Sequence, residues 1–435
     1  MNILKSLVGR PAGWAMLMAV SCGLTVTGAD WGEYRGPDNN GVSHEKIMTS
    51  FPAGGPKVRW KVPSSNGFSS FVVAGGRCYT QELRAIENTE QEVLVARNAD
   101  TGQEQWVQPL GTMKINSGGE SGTDKNRGGD GPRSTPATDG RFVWTFSAQL
   151  VLRCNEAKTG KEIWKHDLVK ENGARNINWM NAQSPVLEGD LIFVAGGGAG
   201  QAVLAFKKSD GAVAWKAFDD AITHATCVPA TILGQRQVIF FLQKGLLAVE
   251  PKTGKELWRY AFPYNVSTAA SPVVDGDIVY CSAGYKVGAG AARITKDGGN
   301  WKATEIYRFP GDKPLANHWS TPVLFKGHLY GMFQFKEYGS GPVKCVEVAT
   351  GKVKWEQPGF GPGHVILAGD KVVALSDAGE LVVIATDSNK YTELTRAAVL
   401  EGKCWTTPSF SDGRLYIRST KEAACIEVSP QRAQR

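Results

Sequence analysis

Short runs rich in Val, Ile, Leu and aromatics recur along the chain, divided by polar turns that mostly contain Gly. In the clearest copies a polar residue and a Pro open the phrase: STPATDGRFVWTF from Ser134, QSPVLEGDLIFVA from Gln183, ASPVVDGDIVYCS from Ala270, STPVLFKGHLYGM from Ser320 and TTPSFSDGRLYIR from Thr406. Looser copies start at Phe68, Ala225 and Gly361, which makes eight. Two apolar runs around such a turn predict a β-hairpin. A second phrase places a small residue, then Gly six positions on, then Trp four beyond. It is intact at Ala96, Gly102 and Trp106; at Cys154, Gly160 and Trp164; at Ala205, Gly211 and Trp215; at Ala248, Gly254 and Trp258; and at Cys345, Gly351 and Trp355. This phrase supplies two further strands joined at the Gly, whose backbone freedom the turn uses.

A four-stranded antiparallel sheet of this kind cannot stand alone and buries its faces against its neighbours. Eight such units predict an all-β fold, an eight-bladed β-propeller of four-stranded antiparallel blades. The recurrent Trp has the size to fill the gap between blades, where one aromatic buries about 150–250 Å². Two copies are worn. Around Asp297, Gly298 and Gly299 the phrase is stretched and Tyr307 takes the Trp role; near Asp387, Asn389 replaces Gly and no Trp follows. Trp60 has no unit before it, and the final unit, Thr406 to Val428, lacks a closing Trp strand. The two fragments complement each other, so the strand around Lys57–Val62 is expected to complete the last blade and close the ring. The expected organisation is a leader over 1–29, an N-terminal extension over 30–56 and the propeller over 57–430.

The leader reads as a secretory signal. Lys5 and Arg10 precede an apolar stretch from Gly13 to Val26, and Thr27, Gly28 and Ala29 place small residues where a signal peptidase cuts. Cleavage is expected after Ala29, with lipidation at Cys22 as the rival, and the mature chain is expected in the periplasm or cell envelope. No other segment has the apolar length of a membrane span. The net charge of +7 is spread among interspersed acids and bases, which argues against a nucleic-acid partner. Seven cysteines follow the leader without metal-type spacing. Cys154, Cys345 and Cys425 occupy the small-residue position of the repeat and read as structural thiols. No metal site is expected.

In a propeller, ligands collect where the loops entering the innermost strands converge on the axis. Those loops precede each Ser/Thr-Pro start and carry Arg133, Trp179, Asn181, His224, Asn265, His318, Trp319, His364 and Trp405. Arg as charge partner and indoles for stacking suit a planar anionic ligand. The competing reading is that these groups cap strands and plug the channel with hydrogen bonds. The polar segments 111–130 and 335–341 carry no phosphate-binding or nucleophile motif, and long face loops of this kind are where partners dock. His166 and His328 read as structural.

The phrases NADTGQEQW, EAKTGKEIW, KKSDGAVAW, EPKTGKELW and EVATGKVKW resemble the eleven-residue tryptophan-docking phrase, A-x-D-x-x-T-G-K-x-x-W, of the pyrroloquinoline-quinone-like (PQQ-like) propeller repeat family. The resemblance runs from about Trp60 to Val428, and the opening Trp31 to Pro37 is similar to exported members from planctomycete-type bacteria. Two branches share the fold: quinoprotein alcohol dehydrogenases, and a lipoprotein scaffold branch similar to BamB, which helps assemble outer-membrane barrels. The first implies the cofactor PQQ, a vicinal Cys-Cys disulfide over it, a Ca²⁺ site of Glu, Asn and Asp, and an Asp base. This chain has no Cys-Cys pair, and its convergent phrases hold no Asp or Glu, Asp130 being the nearest. The expected function is therefore a non-catalytic binding or scaffold module of the envelope, a monomer with a protein partner or a small ligand at the channel mouth and no assigned cofactor. The alternatives are a divergent PQQ-dependent alcohol dehydrogenase and a carbohydrate-binding propeller.

Overall fold

A computed structural model describes residues 1, 30–113, 131–313, 315–333 and 341–430. The leader with Cys22 and Ala29, residues 114–130 with Asp130, and residues 334–340 lie outside the described residues, as do 314 and 431–435. The eight hairpin phrases build eight antiparallel sheets, each adding its strands in sequence order. Blade 1 is made of Val72–Ala74, Arg77–Ile86, Thr89–Asn98 and Glu104–Thr112. Blades 2 to 7 follow over 137–167, 186–217, 228–261, 273–309, 323–357 and 364–398. Blade 8 takes Ser409–Ser411, Arg414–Arg418 and Glu422–Glu427, and its outermost strand is Lys57–Pro63 from the other end of the chain. Among the described residues helix is confined to one short turn, Leu168–Asn172. First strands of neighbouring blades touch one another, so they line the axis.

The register explains the small-residue-to-Trp phrase. Ala96 faces Trp106, Cys154 faces Trp164, Ala205 faces Trp215, Ala248 faces Trp258, Cys345 faces Trp355 and Cys425 faces Trp60 across the third and fourth strands. A bulky partner opposite an indole would collide with it, which restricts the position to Ala or Cys. Beside each of these pairs the register slips at a bulge. A bulge bends its strand and re-aims the neighbouring side chain. Tyr307 faces Ala291 at the same place in blade 5, again beside a register slip.

The rings of most of these Trp residues reach the next blade. A Cβ built on Gly102, Gly160, Gly211 or Gly254 would fall 2.6–2.7 Å from the rings of Trp60, Trp106, Trp164 and Trp215 respectively, and one on Gly351 would meet Phe309 and Tyr307. Indole N–H groups donate across the same gap, from Trp60 to the Ala99 carbonyl (2.9 Å), from Trp215 to Pro251 (2.8 Å) and from Trp355 to Asp387 (2.7 Å). Trp258 departs from the pattern and donates to Gln237 Oε1 within its own blade (2.6 Å). The following blade carries the stretched phrase there, a ten-residue hairpin arm on each side, Gly288–Asp297 and Asn300–Phe309.

This geometry sets an expected outcome for Gly254→Ala. Gly254 has φ +70° and lies under the Trp215 ring, whereas Gly234 has φ +78° with nothing within 4 Å of a built Cβ. Placing Ala in the left-handed region costs about 1–2 kcal/mol. Gly254→Ala should therefore lose about 2–3 kcal/mol in urea unfolding, the ring having to yield as well. Gly234→Ala should lose the conformational part alone; equal losses would show that the indole does not press on the turn.

Two further devices tie the ring together near its axis. The first is a belt of hydroxyls. Ser70 N–H donates to Thr135 Oγ1 (2.9 Å), Thr135 N–H to Ser184 Oγ (3.0 Å), Ser184 N–H to Thr226 Oγ1 (3.0 Å), Ser271 N–H to Thr321 Oγ1 (2.9 Å) and Thr407 N–H to Ser70 Oγ (2.9 Å). Each link joins one blade to the next, which accounts for the hydroxyl found before or near Pro in most copies. The second is the N-terminal extension, which crosses the far end of the channel as a strap. It bonds blade 1 through Trp31 and Val73, blade 2 through the Gly32 carbonyl and Thr138 N–H, and blade 3 through Glu33 Oε2 and Leu187 N–H. Arg35 then reaches blade 6, Val42–Ser43 runs parallel to His364–Ala368 of blade 7, and the Glu45 carboxylate accepts from Asp412 and Gly413 N–H of blade 8.

Candidate functional site

The strap follows the exit ends of most of the first strands, and the loops that enter those strands meet at the opposite end. There the rings form a closed circuit. Phe68 lies 5.2 Å from Trp405 between centroids, Trp405 4.9 Å from Trp319, Trp319 5.0 Å from His318, and His318 5.0 Å from Tyr285. Tyr285 stacks on Trp179 at 6.5 Å and 22°. Arg133 completes the circuit, donating from Nη1 to the Trp179 carbonyl (2.8 Å) with its guanidinium 5.9 Å from the Phe68 ring centre. These side chains come from the approaches to blades 1, 2, 3, 6 and 8 and from a hairpin loop of blade 5. All are half-buried.

Four of the nine residues singled out from sequence, Arg133, Trp179, His318 and Trp319, therefore share this collar with a fifth, Trp405. His224 stands beside it, 6.4 Å from Trp179, with Nε2 on the Asn178 carbonyl (2.9 Å) and Nδ1 on Ser267 Oγ (2.8 Å). Asn181 is buried and donates to the carbonyls of Phe146, Ser147 and Gln183, so its amide braces the channel wall. His364 is also buried, with Nδ1 against Thr407 Oγ1 (3.1 Å) in the belt. Asn265 is exposed and bonds the Tyr285 carbonyl (2.9 Å), holding that loop from outside.

The histidines at this end are uncharged beside the Arg133 cation. Burial pushes the His224 imidazole down to about 4, with the Arg133 charge adding to the effect. Burial likewise takes His318 to about 3, helped by His224, and His364 to about 3, helped by Arg35. All three are uncharged at neutral pH. Asp377 accepts from Trp405 Nε1 (2.7 Å) and pairs with Lys403 (3.1 Å), so the collar's carboxylate is offset at once.

Phe68, Tyr285 and Asp377 were not among the sequence candidates. A signal for Phe68 exists: Phe68-Ser-Ser, Trp319-Ser-Thr and Trp405-Thr-Thr place an aromatic at the same point of the repeat. Tyr285 and Asp377 come from turns that occur once and carry no repeating signal. Backbone strain marks the same place. Trp179 and Met180 have φ of 62° and 64°, and Tyr285 and Lys286 have 56° and 67°. Left-handed backbone in consecutive bulky residues is uncommon and clusters at functional sites. Here it occurs in both members of the stacked pair.

A sequence model of the family described as outer membrane protein assembly factor BamB matches residues 89–318 and 339–433. The chain belongs to this PQQ-like propeller family. No curated protein matches the sequence. Among solved structures of the fold, BamB from Moraxella catarrhalis superposes with a TM-score of 0.59 at 13% identity, covering 87% of this chain and 99% of that one. A quinohemoprotein alcohol dehydrogenase from Comamonas testosteroni gives 0.63 at 14%, covering 93% and 81%. A europium-containing methanol dehydrogenase gives 0.61 at 12%, covering 91% and 90%. At such identities the likeness is one of fold, and function has to be argued from the site.

The collar of this PQQ-like family member meets only part of what a quinone and its cation require. Arg133 and the indoles suit a planar carboxylate-bearing ring. A hard cation needs several oxygen ligands, and among the described residues no three His, Cys, Asp or Glu side chains come together. All seven cysteines among the described residues are buried free thiols. The described residues therefore do not fit the quinone and cation as a pair. Among them, too, no helix is long and apolar enough to cross a membrane.

Proposed function

We propose that this chain is an exported, non-catalytic binding module of the cell envelope, with the aromatic collar as the seat of its ligand or protein partner. The collar itself carries the reading: aromatic side chains from several blades converge there beside Arg133, with neutral histidines and with Trp179 and Tyr285 held on strained backbone. Such a surface binds by stacking and desolvation. Among the described residues its carboxylate, Asp377, is held by Trp405 and Lys403, which suits a structural role more than proton transfer. The match to a family model described as outer membrane protein assembly factor BamB supports the scaffold reading. Purified protein mixed with PQQ and Ca²⁺ is expected to show neither a bound-quinone absorbance nor dye-linked alcohol oxidation at micromolar quinone. Tight quinone binding that disappears in Arg133→Ala would replace this reading with a dehydrogenase one.

A further inference from the structure

The strap carries one side chain that its role as a tie does not explain. Arg35 is 2% exposed, deep in the channel. Its Nη1 donates to the Thr321 carbonyl (2.8 Å), and its Nη2 to the carbonyls of Pro322 (2.9 Å) and Asn40 (3.0 Å). Thr321 belongs to the hydroxyl belt, so the guanidinium bridges the strap at Asn40 and the belt at Thr321. Among the described residues its Nε–H has no partner. Ser320, which precedes Thr321, is 5% exposed and its hydroxyl is likewise unsatisfied.

The charge is as isolated as the N–H. Among the described residues no carboxylate lies within ion-pair distance of Arg35. Its sequence neighbour Glu33 points to Leu187 of blade 3, and burial raises that carboxyl to about 8, so it is mostly neutral at pH 7. The nearby His364 is neutral too. Arg418, another deeply buried arginine, supplies an internal contrast. It also has an unsatisfied Nε, but Glu82 stands close enough to offset its charge. A buried cation held only by carbonyl dipoles retains a large desolvation cost. Buried groups that lack a protein partner usually mark a bound water or ion.

We propose that the propeller axis holds a small inorganic anion of halide type, bound by the Arg35 Nε–H. An anion offsets the charge as well as satisfying the donor, which a water does not. This site is independent of whatever occupies the collar.

Crystals of the full chain soaked in bromide should show an anomalous peak within hydrogen-bond reach of Arg35 Nε; a water there with no peak overturns the proposal. In solution, replacing gluconate by chloride at constant ionic strength should raise the melting temperature by about 2–4 °C. The rise should vanish in Arg35→Gln, and an equal rise in both proteins would overturn the site. Should that variant fail to fold, the bromide measurement on the unaltered protein decides alone.

Discussion

Trp60→Ala should destabilise the protein by about 3–5 kcal/mol, the range for removing a buried large aromatic. Trp60 is 6% exposed, lies edge-on to Phe71 and tilted to Tyr416, and covers Gly102 of blade 1 from the last strand of blade 8. Its loss leaves a cavity and strips the Ala99 carbonyl of its 2.9 Å donor at the seam of the ring. Trp106 occupies the same place between blades 1 and 2, but it is half-buried and its bond to Ala157 is 3.3 Å long. Trp106→Ala should therefore cost distinctly less in urea unfolding. Limited proteolysis should cut the 57–63 strand sooner in Trp60→Ala than in Trp106→Ala. Equal unfolding midpoints would mean that the seam is no more sensitive than any other junction.

Stability should peak near pH 6.5 and fall on both sides of it. His224, His318 and His364 are depressed to about 4, 3 and 3 from an ordinary 6.5, so the folded state binds fewer protons than the unfolded one, and stability falls as pH drops below 6.5. The acids act in the opposite direction. Burial raises Glu33 to about 8 and Glu92 to about 7, so their folded forms keep protons that the unfolded chain releases near 4.5. Their contribution is complete below 4.5 and is lost as pH rises through the folded values. Between 4.5 and 6.5 the three histidines outweigh the two acids; above 6.5 the acids act alone. One group changes stability by at most about 1.4 kcal/mol per pH unit, so Glu33 accounts for a loss of about 2 kcal/mol between pH 6.5 and 8. Glu33→Gln preserves an acceptor for Leu187 N–H and should flatten the profile above pH 7. A variant that declines as steeply as the parent in chemical unfolding at pH 7, 7.5 and 8 would place the ionisation elsewhere.

The periodic parts of this molecule could be read from the sequence because each repeated phrase answers a repeated packing demand. Gly in the turn, Trp four residues on and a small residue six before the Gly are one contact seen from three positions. Even the worn copies followed that logic: Tyr307 faces Ala291, and the Trp355 indole donates to the Asp387 carbonyl beside Asn389. The site was less legible. Arg133, Trp179, His318, Trp319 and Trp405 stood out as large or charged residues in connectors, but the same rule collected Asn181 and His364, whose polar atoms brace the wall and the belt. Tyr285 and Asp377 reach the collar from turns outside the repeat. The strap was invisible for a similar reason, since it is used once and works largely through backbone groups. Only its length in sequence was apparent.

The seam also dictates an order of events. Glu45 and Gly413 are 368 positions apart and Arg59 and Glu427 the same distance, so the Glu45 end of the strap and the Lys57–Pro63 strand find these blade 8 partners only after the rest of the ring exists. Contacts of such separation carry the largest loop-closure entropy and form late. During synthesis the first segment to emerge must wait, with Trp60 uncovered and the strand's edge open, until blade 8 has been made. A chain cut short before Ser409 lacks the strand partner of Lys57–Pro63 and the backbone donors that Glu45 accepts from. The vulnerable interval of this fold is therefore the wait before closure, and a chaperone acting on the nascent chain would have most to protect between residues 45 and 63.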